Sequence, residues 1–146
     1  MDALYSGKIL DFAADIPEAR RLETPDATAF KRSRLCGSEM TVDLNVEDGR
    51  VSDFGMIAKA CALGQCSASI LAQHLIGAAP AELRDIAVQM RAMLKDGGPP
   101  PSGEWADLGL LQPVKDYPQR HASTLLAFDA VVDCVDQIEA ASAAEA

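Results

Sequence analysis

Between Met40 and Val46, apolar side chains take every second position: Met40, Val42, Leu44 and Val46 alternate with Thr41, Asp43 and Asn45. A period of two sends successive side chains to opposite faces, so the segment reads as a strand with one buried and one wet face. Glu47-Asp48-Gly49-Arg50 follows, and its Asp-Gly pair suits a tight hairpin turn. Val51 to Ala58 then returns as the partner strand, with Phe54, Met56 and Ala58 inward. Upstream, Thr28 to Arg34 alternates weakly around Phe30 and carries Lys31, Arg32 and Arg34, the signature of an edge strand blunted by charge. The three strands form a small antiparallel meander. Its wet face, including Asp43 and Asn45, is expected to be free for oligomer contacts, with the oligomeric state left open.

Beyond Gly64 the period changes and the chain reads as helix or loop. Cys66 to Ile76 is rich in small residues and ends at Gly77, a plausible C-terminal cap. Pro80 can open a helix, and Leu83, Ile86, Met90 and Met93 recur at helical spacing as far as Lys95. Residues 97–104 are an internal Gly/Pro loop, which Trp105, Leu108, Leu110 and Leu111 dock onto the core. Pro118 to Ala140 forms the last helix, with Leu125, Phe128, Val132, Val135 and Ile138 inward, and residues 141–146 are expected to fray. Near the start, Leu4 to Ala14 carries a moderate helix pattern that Pro17 ends. The fold class is therefore α+β, a small three-stranded antiparallel sheet with helices packed on one face, in a single domain spanning residues 1–146. His74 is expected to be a solvated helix residue.

Charge narrows the partners. With 13 basic against 22 acidic side chains the formal charge is -9, which disfavours nucleic acid, where cationic side chains supply most of the affinity, and anionic membranes as well. No apolar run is long enough to span a bilayer, and Met1-Asp2-Ala3-Leu4-Tyr5 lacks a secretory pattern, so the expected location is cytoplasmic. In that compartment Cys36, Cys61, Cys66 and Cys134 are thiols, metal ligands or packing residues rather than disulfides. Cys134, among Ala127, Ala130, Val131 and Ile138, is expected to pack in the core.

Cys36 enters the first clear strand and Cys61 follows the second. Antiparallel strands joined by a tight turn bring the start of one beside the end of the other, so the two thiols can approach. Gly37 would let the backbone come close to whatever they hold, and a helix starting near Cys61 would turn the positive end of its dipole toward the sulfur. Paired thiols suit a soft metal or sulfur transfer.

The stretches Leu35-Cys36-Gly37-Ser38-Glu39-Met40, Asp48-Gly49-Arg50 and Ala60-Cys61-Ala62-Leu63-Gly64-Gln65-Cys66-Ser67-Ala68-Ser69 resemble the IscU/SufU/NifU N-terminal type of iron–sulfur cluster assembly scaffold. In that family a Cys-Gly-Asp motif, a Gly-Cys motif before a Ser/Ala-rich helix and a third Cys near the last helix converge. The insertion from Pro80 to Trp105 is similar to the SufU branch. Two departures stand out: Ser38 replaces the site Asp, and Ser123 replaces the third Cys. A hydroxyl is a much poorer ligand for iron or zinc than a thiolate. The resemblance implies Cys36 and Cys61 as the surviving ligands, with His121, Cys66, Ser123 and Glu39 as weaker candidates for the remaining positions. Strand alternation points Glu39 away from Ser38.

The resemblance further implies a scaffold or carrier rather than an enzyme, which accepts sulfur and iron and transfers a transient iron–sulfur cluster. A cysteine desulfurase would be the supplier and apo iron–sulfur proteins the recipients. The alternative is a degenerate interaction module of the assembly machinery, zinc-bound or metal-free, without cluster-building activity. A hydrolase using Ser123 and His121 is disfavoured, since no orienting acid or oxyanion loop accompanies the pair.

Overall fold

The computed structural model describes residues 6–35 and 37–145, without the side chains of 144 and 145; Cys36 lies outside the described residues. In chain order the elements are α1 (Gly7–Ala14), β1 (Ala27–Arg32), β2 (Glu39–Glu47), β3 (Arg50–Lys59), α2 (Ala62–Leu75), α3 (Pro80–Lys95), a 3-10 run Gly103–Asp116, a 3-10 turn Pro118–Arg120 and α4 (His121–Glu145). The strands form one antiparallel sheet in the order β1-β2-β3. This is the expected α+β meander.

The Asp48-Gly49 turn behaves as its sequence suggests. Glu47 pairs with Arg50 across it, and both intervening residues have positive φ, 54° and 74°, the two-residue turn whose twist matches the strands. Between the pairs Asn45–Asp53 and Val46–Val51, Ser52 is an extra residue on β3, a bulge close to the turn. On the inner face Met40, Val42 and Leu44 are fully buried, each contributing roughly 1.5–3 kcal/mol. They meet α4, where the Cys134 thiol donates to the Val42 carbonyl at 3.5 Å, so Cys134 packs in the core as expected.

The outer face departs from expectation. Asp43 is fully buried, because the segment leading into β1 crosses the sheet above it. Arg20 caps the β3 edge, its amide donating to the Met56 carbonyl and its guanidinium to the Phe54 carbonyl and Asp53. Arg21 then binds both Asp43 oxygens at 2.6 and 3.1 Å, while the Leu22 amide and the Thr28 hydroxyl donate to the same carboxylate. Gly55, paired with Asp43, makes room: a Cβ there would lie 2.7 Å from the Arg20 carbonyl oxygen. Asn45 is engaged too, accepting from the Asp26 amide at 2.7 Å. The expectation that Asp43 and Asn45 present a free face is thus corrected.

Helix α2 starts at Ala62, four residues ahead of the expected Cys66, and is buried along most of its length. Helices α3 and α4 run antiparallel, since Arg84 binds Asp136 and Glu139 while Arg91, two turns on, binds Asp129. In the 3-10 run Trp105, Leu108, Leu111 and Val114 are buried, a spacing of three that places all four on one face of a three-residue-per-turn helix. Its first member stacks edge-on against His74 at 5.2 Å and donates its indole N–H to Glu82 at 2.8 Å. His74 is therefore half-buried rather than solvated. Past the expected limit at Ala140, α4 stays helical to Glu145. Among the described residues, no helix is long and apolar enough to cross a membrane.

Candidate functional site

Three parts of the chain meet at the end of the sheet opposite the Asp48-Gly49 turn. The register aligns Arg32, Glu39 and Lys59 in one cross-strand row, which sets the connection between β1 and β2 beside the end of β3. That connection is closed by backbone bonds, Ser33 N–H to the Ser38 carbonyl and Gly37 N–H to the Ser33 carbonyl, each 2.8 Å. Two residues past β3, Cys61 caps α2 with extended backbone (φ -68°, ψ 172°), and its side chain makes no capping bond. The sulfur is free to face elsewhere.

It faces the start of α4. The half-buried Cys61 Sγ lies 3.7 Å from Ser123 Oγ, across 62 residues of sequence. Ser123 is 1% exposed and its hydroxyl donates to the Arg120 carbonyl at 3.2 Å. Gly64 permits this approach: a Cβ there would lie 2.9 Å from Ala60 Cβ and 3.1 Å from the Ser123 carbonyl oxygen. The small-residue start of α2 thus seats one helix end against another and brings the Cys61 and Ser123 positions together.

The other candidates are placed differently. Ser38 is buried in the β1–β2 connection. Glu39 is partly buried in β2, on the face opposite Met40, in the row between Arg32 and Lys59. His121 is buried, and its Nε2 lies 3.0 and 3.2 Å from the carbonyl oxygens of Val114 and Lys115, which fixes it as the N–H nitrogen. The ring thereby ties the start of α4 to the 3-10 run. Cys66 is fully enclosed in the core, where burial, with the Asp107 charge adding to it, pushes its thiol up to about 12. Among the described residues no three His, Cys, Asp or Glu side chains converge as a metal site.

The NifU-like N-terminal domain family matches residues 4–124, and the chain belongs to that family. It is 29% identical over 137 residues to the iron-sulfur cluster assembly scaffold protein IscU of Thermotoga maritima, covering 92% of this chain and 94% of that one. Among solved structures, a nitrogen-fixing NifU-like protein (N-terminal) from Brucella abortus superposes with a TM-score of 0.93 at 50% identity, over 95% of this chain and 96% of the other. A protein proposed as the iron-sulfur cluster assembly scaffold of the SUF system in Fervidobacterium islandicum shares the fold, with a TM-score of 0.82 at 20% identity over 90% and 96% of the chains.

Proposed function

We infer that the chain is a scaffold-type protein of iron–sulfur cluster assembly, a carrier rather than an enzyme. Iron and sulfide are its cargo. A cysteine desulfurase supplies the sulfur, and apo iron–sulfur proteins receive the product. The observation that carries the reading is the meeting of Cys61 and Ser123 at the sheet end where the β1–β2 connection, with Cys36 in its sequence, also arrives.

The side-chain chemistry gives the proposed site its character. Cys61 and Cys36 are the thiolates that ligate the iron of the cargo, while the position beside Cys61 offers only a hydroxyl. Soft sulfur ligands bind iron far better than neutral oxygen, so two thiolates hold cargo loosely, as handover requires. A resident zinc does not fit the donors. Closed zinc sites take four strong ligands, yet Cys66 and Cys134 are enclosed in the core, and no three His, Cys, Asp or Glu side chains converge among the described residues.

Anaerobic reconstitution with ferrous iron, cysteine, a cysteine desulfurase and a dithiol reductant, which supplies the two electrons that turn the desulfurase's persulfide sulfur into sulfide, tests the reading. The wild type is expected to develop sulfur-to-iron visible absorption that Cys61→Ser and Cys36→Ser each abolish. Absence of that absorption in the wild type, together with tightly retained zinc, would favour an interaction module instead.

A further inference from the structure

Two hydroxyls at the start of α4 share one acceptor. Ser123 Oγ donates to the Arg120 carbonyl at 3.2 Å, and Thr124 Oγ1 donates to the same oxygen at 2.8 Å, the back-bonding that serine and threonine make to carbonyls three and four residues earlier. The shorter bond has the firmer hold, so the carbonyl keeps a partner when Ser123 turns away. Thr124 is fully buried and has no solvent to turn to.

Ser123 has a second partner within reach. Its oxygen lies 3.7 Å from Cys61 Sγ, and in the unloaded chain the thiol is the donor of that contact. A hydroxyl carries one proton, accepts as well as donates, and rotates its hydrogen to suit its neighbours. Because Ser123 is almost completely buried, water does not compete for that proton. The spacing is held by the backbone, since the start of α2 meets the start of α4 where a Cβ on Gly64 would stand 3.1 Å from the Ser123 carbonyl oxygen.

Loading reverses the direction of this contact. Iron takes Cys61 as the thiolate: as the iron–sulfur bond forms, the thiol proton leaves to solvent base and the sulfur becomes an acceptor only. We propose that Ser123 then turns its O–H from the Arg120 carbonyl to Cys61 Sγ, and that it is a positioning residue which sets how readily this sulfur lets go of iron. The proposal rests on the scaffold reading above and gives a task to the position that, in that reading, only lacks a thiol. A thiolate leaving iron carries more charge than one bound to it, and a hydrogen bond to an ionised acceptor strengthens with that charge, so the donor favours release. Exclusion of water keeps the effect strong. Hydrogen bonds to ligand sulfur also tune a cluster's reduction potential, raising it by withdrawing electron density from the sulfur.

The test compares wild type, Ser123→Ala and Thr124→Val, each loaded by the anaerobic reconstitution above. Three quantities are read: the position of the sulfur-to-iron band, the reduction potential, and the rate at which an iron chelator removes the band. Ser123→Ala should move the band to longer wavelength, lower the potential and slow removal roughly three- to tenfold, the effect of one hydrogen bond. Thr124→Val takes the nearer donor from the Arg120 carbonyl, leaves Ser123 held there, and should move all three readings in the same direction. Thermal melts confirm that both variants fold. Wild-type readings from either variant overturn the proposal while leaving the scaffold reading standing. Faster removal from Ser123→Ala also overturns it, by making Ser123 Oγ itself an iron ligand. A wild type that develops no band sinks both.

Discussion

Burial divides the described cysteines into two kinds. Cys66 and Cys134 are enclosed, and burial first, then nearby carboxylates, pushes each thiol up to about 12, whereas Cys61 is half-exposed at a helix start. Thiolates, not thiols, are alkylated. Iodoacetamide at neutral pH should therefore modify Cys61 in the native protein and reach Cys66 and Cys134 only after denaturation, as peptide mapping will read; native labelling of Cys66 would contradict its placement. Asp43 is the other residue with a sharp expectation. Burial pushes its carboxyl up, but hydrogen bonds from Arg21, Thr28 and the Leu22 amide, with the Arg21 charge, outweigh that and hold it below its ordinary value. A lowered folded-state value stabilises the fold above the unfolded carboxyl's value and ceases to do so as pH falls through the folded one. Asp43→Asn should cost about 2–3 kcal/mol in urea unfolding at pH 7. The difference from wild type should shrink once the pH drops below about 4.

At the level of elements, the strap across the sheet depends on one missing side chain. Gly55→Ala would place a Cβ against the Arg20 carbonyl, a backbone atom that cannot swing aside, and should destabilise by about 1–3 kcal/mol, seen as a lower melting temperature. The meander and its turn were legible in the residues, because a period of two and an Asp-Gly pair are local signals. The strap was not, because Asp43 looks like any polar residue on a wet strand face until Arg20, Arg21 and Gly55, all distant from it in sequence, are placed around it. The 3-10 run was half legible. Its every-third apolar residues pointed to docking, but the run of Trp105, Leu108, Leu111 and Val114 fits a period of three that reads as neither helix nor strand. His121 reads as a candidate ligand by sequence proximity; its Nε2–H is held by the carbonyls of that run, an anchoring role invisible in the sequence that leaves Nδ1 as its one ligand atom. Proximity of Cys61 to the last helix was visible only through the family motif, since nothing local announces a contact spanning 62 residues.

For the whole molecule, the fold brings helix starts and a strand connection to one end, with the acidic charge largely elsewhere. A scaffold of this kind is judged by what it gives up as much as by what it binds. Replacing the hydroxyl beside Cys61 with a thiol would add a soft ligand to the proposed site, so Ser123→Cys should retain cargo about tenfold longer than wild type. The most direct measurement is transfer from the anaerobically loaded chain to an apo iron–sulfur recipient, followed by recovery of the recipient's spectrum. The account predicts prompt transfer by wild type, none by Cys61→Ser and delayed transfer by Ser123→Cys. Transfer by Cys61→Ser at the wild-type rate would contradict it.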